Sequence, residues 1–234
     1  MIELKNIFIG YGSKGKTNSV FKNLNATFNK GELIGLVGNN GVGKSTFIKT
    51  IFGTLKPLDG EILLDERSLS NFSVQELAKH ISIVLTDKVG GFNLTVYDVV
   101  AAGRIPYLNA FAQLTEEDHR ITEKCLAQIG ITELKEKLVD ELSDGQRQKV
   151  MIAKSLAQQT PVILLDEPTA FLDYNSKRQL FDILKDLCKN EQKTIVVSSH
   201  DLEILFKNVD KALYMKPNNE FLFDVPAKIQ SLII

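Results

Sequence analysis

The sequence predicts an α/β fold: a phosphate-loop core with an antiparallel β subdomain at its N-terminus and a helical subdomain inserted into it. Three observations carry this prediction. Short apolar runs, LIGLV, ISIVL, VILLD and TIVVSS, recur along the chain as candidate buried strands. A glycine-rich stretch, GLVGNNGVGKSTF, joins the first of them to a helix-like segment. Between residues 88 and 158 the strand pattern gives way to helical periodicity. Strands and helices then alternate again, as a largely parallel sheet covered on both faces requires.

Residues 2 to 9 alternate and predict a strand; GYGSKGKTNS, 10 to 19, predicts a glycine-rich turn, and VFKNLNATF a second extended segment. Leu33 to Val37 predicts a buried strand. Beyond the glycine-rich loop, Phe47, Ile48 and Ile51 fall at helical spacing within 45 to 52, and Gly53 offers a stop. PLDGEILLD reads as turn plus strand, residues 73 to 79 as a short helix, and ISIVL as a further buried strand. In the insertion, LTVYDVVAAG, LTEEDHRITEKCLAQIG and DGQRQKVMIAKSLAQQ are helical in period. The second opens with a capping box, Thr115 and Asp118, and closes at Gly130. VILLD and TIVVSS then predict strands at 162 to 166 and 194 to 199, separated by an amphipathic helix from about 175 to 190. KALYMKPNNEFLFD predicts a hairpin turning at Asn218-Asn219.

The glycine-rich loop fits G-x-x-x-x-G-K-[ST] through Gly38, Asn39, Asn40, Gly41, Val42, Gly43, Lys44 and Ser45. A strand-to-helix junction of this kind aims backbone N–H groups and the positive end of a helix dipole at one point, where a polyanion is held without side-chain charge. Lys44 then reaches the β- and γ-phosphates of a nucleotide, the Ser45 hydroxyl ligates Mg²⁺, and Thr46 adds a second hydroxyl near the phosphates. The strand VILLDEP ends in two carboxylates. Asp166 is placed to hold the Mg²⁺ shell, and Glu167 to polarise water as a general base for attack on the γ-phosphate. The core is thus expected to be a phosphate-loop NTPase. It would occupy 1–87 and 159–234 of a single 1–234 domain, with 88–158 as the helical subdomain.

A 44% hydrophobic content is ample for a packed interior, and a net charge of −1 argues against a broad nucleic-acid footprint. The stretch MIELKNIFIG lacks the pattern of a secretory signal, and no apolar run approaches the ~18 residues of a membrane span. An intracellular protein is expected. Cys125 and Cys188 have no metal-ligand spacing and read as buried small hydrophobes.

Between the loop and the carboxylates lies ELSDGQRQK, 141 to 149, and SSHD follows at 198 to 201. Together, and in this order, the four motifs resemble the nucleotide-binding subunit of ABC transporters, over nearly the whole chain. The resemblance implies that Ser143, Gly145 and Gln146 contact the γ-phosphate of ATP held by a second copy of the chain. Asp144 replaces the family's glycine, and its carboxylate suits a positive helix terminus while turned from the nucleotide. His200 matches the switch histidine at the γ-phosphate, Asp173 the loop that communicates between copies, and Tyr11 the aromatic residue that stacks on adenine. His80 and His119 match nothing and are read as surface residues. Thr86 and Asp87 stand where the family has a glutamine that bridges the metal site to the membrane partner. Thr86 is expected to approach the metal through a water, with Asp87 completing that shell or facing the partner; alternatively neither touches the site and the loop serves only docking.

NLTVYDVVAAGRIPYLNAFAQLTEED, 93 to 118, is similar to the helical subdomain of importers for iron-siderophore, haem or cobalamin complexes. The resemblance implies an ATPase that dimerises around ATP and Mg²⁺ and drives separate transmembrane permease subunits. It also implies an indirect link to a substrate-binding protein and a peripheral place on the cytoplasmic face of a bacterial membrane. An exporter ATPase, or a soluble ATPase of the same family without a transport role, is the alternative.

Overall fold

The computed structural model describes residues 1–13, 16–85, 93–108, 113–216 and 220–233. Strand β1 (Ile2–Ser13) pairs antiparallel with β2 (Lys16–Phe28). Next come β3 (Leu33–Gly38), the phosphate loop and helix α1 (Lys44–Ile51), then β4 (Asp59–Leu64) and β5 (Arg67–Ser68). The antiparallel sheet has the order β2-β1-β4-β5. Its inner face and α1 share one apolar cluster, in which Phe28 meets Phe47 edge to face at 6.4 Å.

Helix α2 (Val74–Leu77) starts from a Ser73–Glu76 capping box and leads to β6 (Ile81–Val84). The helical subdomain follows as α3 (Val96–Ala101), α4 (Glu116–Ile129) and α5 (Asp144–Ala157). The chain returns through β7 (Val162–Leu165), α6 (Tyr174–Glu191), β8 (Thr194–Ser198), α7 (Leu202–Asn208), β9 (Lys211–Met215), β10 (Phe221–Asp224) and α8 (Pro226–Ile233). The six-stranded sheet runs β10-β9-β3-β8-β7-β6, parallel except for β10. Strand β8 lies between β3 and β7, with Leu36 opposite Ser198 and Leu165 opposite Val197. The loops leaving the C-terminal ends of these three strands therefore open at one edge, where parallel sheets place ligands.

The helical subdomain is pinned by an ion pair withdrawn from water. Arg104, in the 3₁₀ segment Ala102–Tyr107 that continues α3, donates from Nε to Asp118 Oδ1 at 2.7 Å, and from Nη1 to Ala157 O at 2.8 Å and Gln159 Oε1 at 3.0 Å. Its guanidinium also lies over the Tyr107 ring, 4.2 Å from the centroid. Asp118 additionally closes the capping box with Thr115, at the helix start that the sequence marks. One side chain thus ties α3, α4 and α5 together.

Three expectations are corrected or left aside. The turn expected over 10 to 19 is mostly strand: Gly10 pairs with Ser19, Tyr11 with Asn18, and the pairing runs on to Ser13 opposite Lys16. Glycine weakens a strand without forbidding it, and cross-strand hydrogen bonds outweigh the cost. His80 is half-buried against Phe72 rather than a surface residue, whereas His119 is exposed and stacks on Tyr97. The Asn218-Asn219 turn lies outside the described residues, although β9 and β10 pair as the expected hairpin. Both cysteines are buried and free.

Candidate nucleotide site

Gly43, the residue that opens α1, is left-handed with φ 114°, and a β-carbon there would collide with Val20. Only glycine fits without strain. Gly38 and Gly41 also have positive φ, and Val42 N donates to Asn39 O at 3.2 Å to close the loop's turn. Lys44 is buried and bends back over the loop, donating from Nζ to Gly38 O at 2.8 Å. Burial lowers its pKa, and the carboxylates of Glu167 and Asp166 partly offset this. Tyr11, half its surface exposed, is anchored by its hydroxyl 3.0 Å from Thr46 Oγ1, which leaves the ring free beside the loop.

Across a cleft of about 340 Å³ from the loop lie Asp166, Glu167 and His200. Asp166, at the tip of β7, is 4% exposed and accepts a hydrogen bond from Ser198 Oγ at 2.8 Å. Glu167 adopts φ 51°, a left-handed conformation that costs a non-glycine residue on the order of 1 kcal/mol. Its N–H donates to the same Ser198 Oγ at 2.9 Å, and its Oε2 accepts from His200 N at 3.2 Å. The His200 ring nitrogen Nε2 stands 3.1 Å from Glu167 Oε1, within ion-pair reach but out of hydrogen-bond alignment, so this buried oxygen has no hydrogen-bond donor. Burial raises the Glu167 pKa; His200 and Lys44 pull it down, and Asp166 adds to the rise. A carboxylate with a raised pKa and an unfilled acceptor site is fitted to take a proton from water.

Among the described residues no group of three or more His, Cys, Asp or Glu side chains converges as a metal cage. Ser45 and Asp166 border the same cleft, and that pair suits Mg²⁺, which is held by one or two protein oxygens, phosphates and waters.

The remaining expected residues lie apart from the cleft. Ser143 caps α5: its Oγ accepts from Gln146 N at 3.2 Å, and Gln146 Oε1 accepts from Ser143 N at 3.1 Å. A β-carbon at Gly145 would sit 2.7 Å from Phe171 O, so the α5 start packs against backbone where only glycine fits. Asp144 lies 3.8 Å from Arg147 at the same helix start. Ser143, Gly145 and Gln146 do not border the loop's cleft. Asp173 caps α6, accepting from Ser176 N and Oγ at 2.9 Å each, and these bonds lower its pKa. Thr86 and Asp87 lie outside the described residues.

Sequence reasoning missed Ser198. It reads as one more residue of a buried strand, and the signal was a hydroxyl two places before His200 where an apolar side chain would be ordinary.

The ABC transporter family model matches residues 21–170. The chain is 38% identical to an uncharacterised ABC transporter ATP-binding protein of Methanocaldococcus jannaschii, over 98% of this chain and 78% of the relative. It is 34% identical to the petrobactin import ATP-binding protein FpuD of Bacillus anthracis, over 97% of this chain and 82% of that one. Among solved structures, it is similar to an inward-facing metal-chelate type ABC transporter (28% identity, TM-score 0.82, 97% of this chain and 84% of that chain). It is also similar to a dimeric ATP-binding cassette in a post-hydrolysis state with ADP and phosphate (29% identity, TM-score 0.81, 92% of this chain and 94% of that chain). The phosphate loop, the paired carboxylates and these likenesses lead to one conclusion: the chain belongs to the ABC transporter family, as an ATP-binding ATPase.

Proposed function

We propose that two copies of this chain bind ATP between them, hydrolyse it to ADP and phosphate, and power a separate permease that imports a metal chelate of the siderophore, haem or cobalamin class. The observation that carries this reading is a site with one side missing. The phosphate loop, Asp166, Glu167 and His200 line one open cleft, while Ser143, Gly145 and Gln146 sit elsewhere, at a helix N-terminus suited to an anion. A second copy, related head to tail, would bring that terminus to the phosphates.

In this reading Gly38 to Thr46 cradle the phosphates through backbone N–H groups, Lys44 exchanges its carbonyl partners for phosphate oxygens, and Tyr11 offers its ring to adenine. Ser45 and Asp166 would hold Mg²⁺, which neutralises charge on the phosphates when bound. Glu167 accepts the proton of the attacking water, and His200 orients that water. Asp173 relays between copies, Thr86 and Asp87 contact the permease or the metal shell, and residues 88–158 form the subdomain that carries the signature segment.

The cargo class rests on relatives named for import of petrobactin, iron(3+)-hydroxamate and cobalamin and for transport of achromobactin. No helix among the described residues is long and apolar enough to cross a membrane. In this reading the permease is a separate chain, and the ATPase sits on the cytoplasmic face beneath it. The test is uptake of radiolabelled iron–siderophore complexes and of cobalamin by cells with the gene deleted and then restored. Loss and recovery of one of these supports import. Unchanged uptake of all of them, with efflux impaired instead, would overturn it in favour of an exporter.

A further inference from the structure

Ser198 is a polar residue at the end of a fully buried strand. It ends β8, a strand flanked by neighbours on both sides, and follows Ile195, Val196 and Val197, which are all fully buried. Ser198 itself has no exposed surface. Burying a hydroxyl costs free energy unless both its proton and its lone pairs find partners. Here the two partners belong to consecutive residues of the neighbouring strand's tip. The hydroxyl donates to Asp166 Oδ1 at 2.8 Å and accepts from Glu167 N at 2.9 Å.

The geometry has a consequence for both carboxylates. Along an ordinary strand end, successive side chains alternate between faces. Asp166 and Glu167 instead border one cleft, because the backbone turns left-handed at Glu167 (φ 51°). A non-glycine residue keeps such a conformation only where surrounding contacts over-determine it. Ser198 holds the amide at that turn, while the next segment holds the side chain through His200 N, 3.2 Å from Glu167 Oε2.

We propose that Ser198 is a positioning residue for hydrolysis: a single buried hydroxyl fixes the Asp166 carboxylate and the Glu167 backbone relative to each other. The proposal rests on the assignment of Asp166 to the metal shell and Glu167 to proton transfer. Ser198 is fully buried and does not border the cleft, so it acts only through Asp166 and Glu167. Its removal should loosen the geometry without removing any group that binds ATP.

The experiment compares Ser198→Ala, Ser198→Thr and Glu167→Gln in the purified full chain. Steady-state kinetics give kcat and KM for ATP. Electron paramagnetic resonance gives the affinity for Mn²⁺, added with a non-hydrolysable ATP analogue. Orienting contacts of this kind are worth about 10- to 100-fold in activity or metal affinity. Ser198→Ala should lower kcat and weaken Mn²⁺ binding within that range, with KM for ATP changed less than about twofold. Ser198→Thr, which keeps the hydroxyl, should recover Mn²⁺ affinity. Wild-type kcat and Mn²⁺ affinity in Ser198→Ala, with Glu167→Gln inactive, would overturn the proposal and leave the base assignment standing. Turnover by Glu167→Gln at the wild-type rate would overturn the base assignment itself. If Ser198→Ala melts too early to assay, Ser198→Thr decides: normal Mn²⁺ affinity supports the hydroxyl's role, and a loss equal to that of Asp166→Asn assigns Ser198 to packing.

Discussion

Glu167 in the cleft and Asp118 in the helical subdomain are both carboxylates withdrawn from water, with side chains 13% and 7% exposed. For each, burial is the largest influence on the pKa and acts upward. Yet Glu167 stays raised, while Asp118 falls to about 2, because hydrogen bonds from Thr115 and then Arg104 outweigh the desolvation. Partners that donate squarely make the difference. Asp118 receives its donors at 2.7–2.9 Å, whereas Glu167 has one backbone donor at 3.2 Å and an oxygen with none. One region saturates its charge and gains rigidity; the other leaves its charge underserved and gains reactivity.

Removing the reactive charge should have the largest effect. Glu167→Gln keeps the shape and the nucleotide contacts but loses the proton acceptor, so phosphate release should fall by about 10²- to 10⁴-fold while ATP still binds. Calorimetric ATP affinity near wild type, together with an ATP-dependent dimer by gel filtration, checks this. Breaking the saturated charge should instead act on stability. Arg104→Met strands Asp118 without its cation, which costs about 3–5 kcal/mol in buried pairs. Urea denaturation measures that loss, and Arg104→Met combined with Asp118→Asn should regain part of it. If the single variant were as stable as wild type, the pin would not be a stabilising one.

A smaller effect tests whether the two regions meet across copies. Mixed dimers of Ser143→Arg and Lys44→Ala chains confine both defects to one composite site when the arrangement is head to tail. Their ATPase rate should be roughly half of wild type if the two sites act independently. A rate as low as that of either homodimeric variant would show that the sites are coupled or that the defects fall in separate sites.

The two regions differed in how readable they were. The glycine loop, the strand tip at Asp166-Glu167 and the Thr115 capping box follow from local rules, because their residue types are dictated by backbone geometry within a few positions. The Arg104 pin joins residues 14 to 55 positions apart, and nothing in the local pattern says which of the 28 cations are buried. Ser198 reaches Asp166 over 32 positions through sheet order alone. The short helices α7 and α8 escaped notice for a related reason: at 7 and 8 residues, their form depends on the sheet they pack against. Turn composition misled in the opposite direction at Gly10 and Gly12, where hairpin pairing continued through glycine.

The finest test of the comparison is the pH dependence of stability, because the two carboxylates should act with opposite sign. Asp118 has a depressed pKa, so the folded state binds fewer protons there than the unfolded chain. Its contribution is present above the ordinary aspartate range of about 4 and is lost as pH falls toward 2. Glu167 has a raised pKa, so the folded state holds its proton more tightly than the unfolded chain does. Its ionised form, facing His200, Lys44 and Asp166, therefore costs stability above the ordinary glutamate range, and that cost disappears on acidification. Glu167→Gln should accordingly raise the melting temperature at pH 7, by about 2–4 °C for each kcal/mol relieved in a chain of this size. The gain should vanish near pH 4. Asp118→Asn should do the reverse, lowering the melting temperature at pH 7 by an amount that shrinks toward pH 2. Calorimetric scans of the three chains between pH 3 and 8 measure both. If Glu167→Gln left the melting temperature unchanged at every pH, the carboxylate would be fully compensated in the folded chain, and its proton-accepting role would have to arise only once ATP and the second copy close the site.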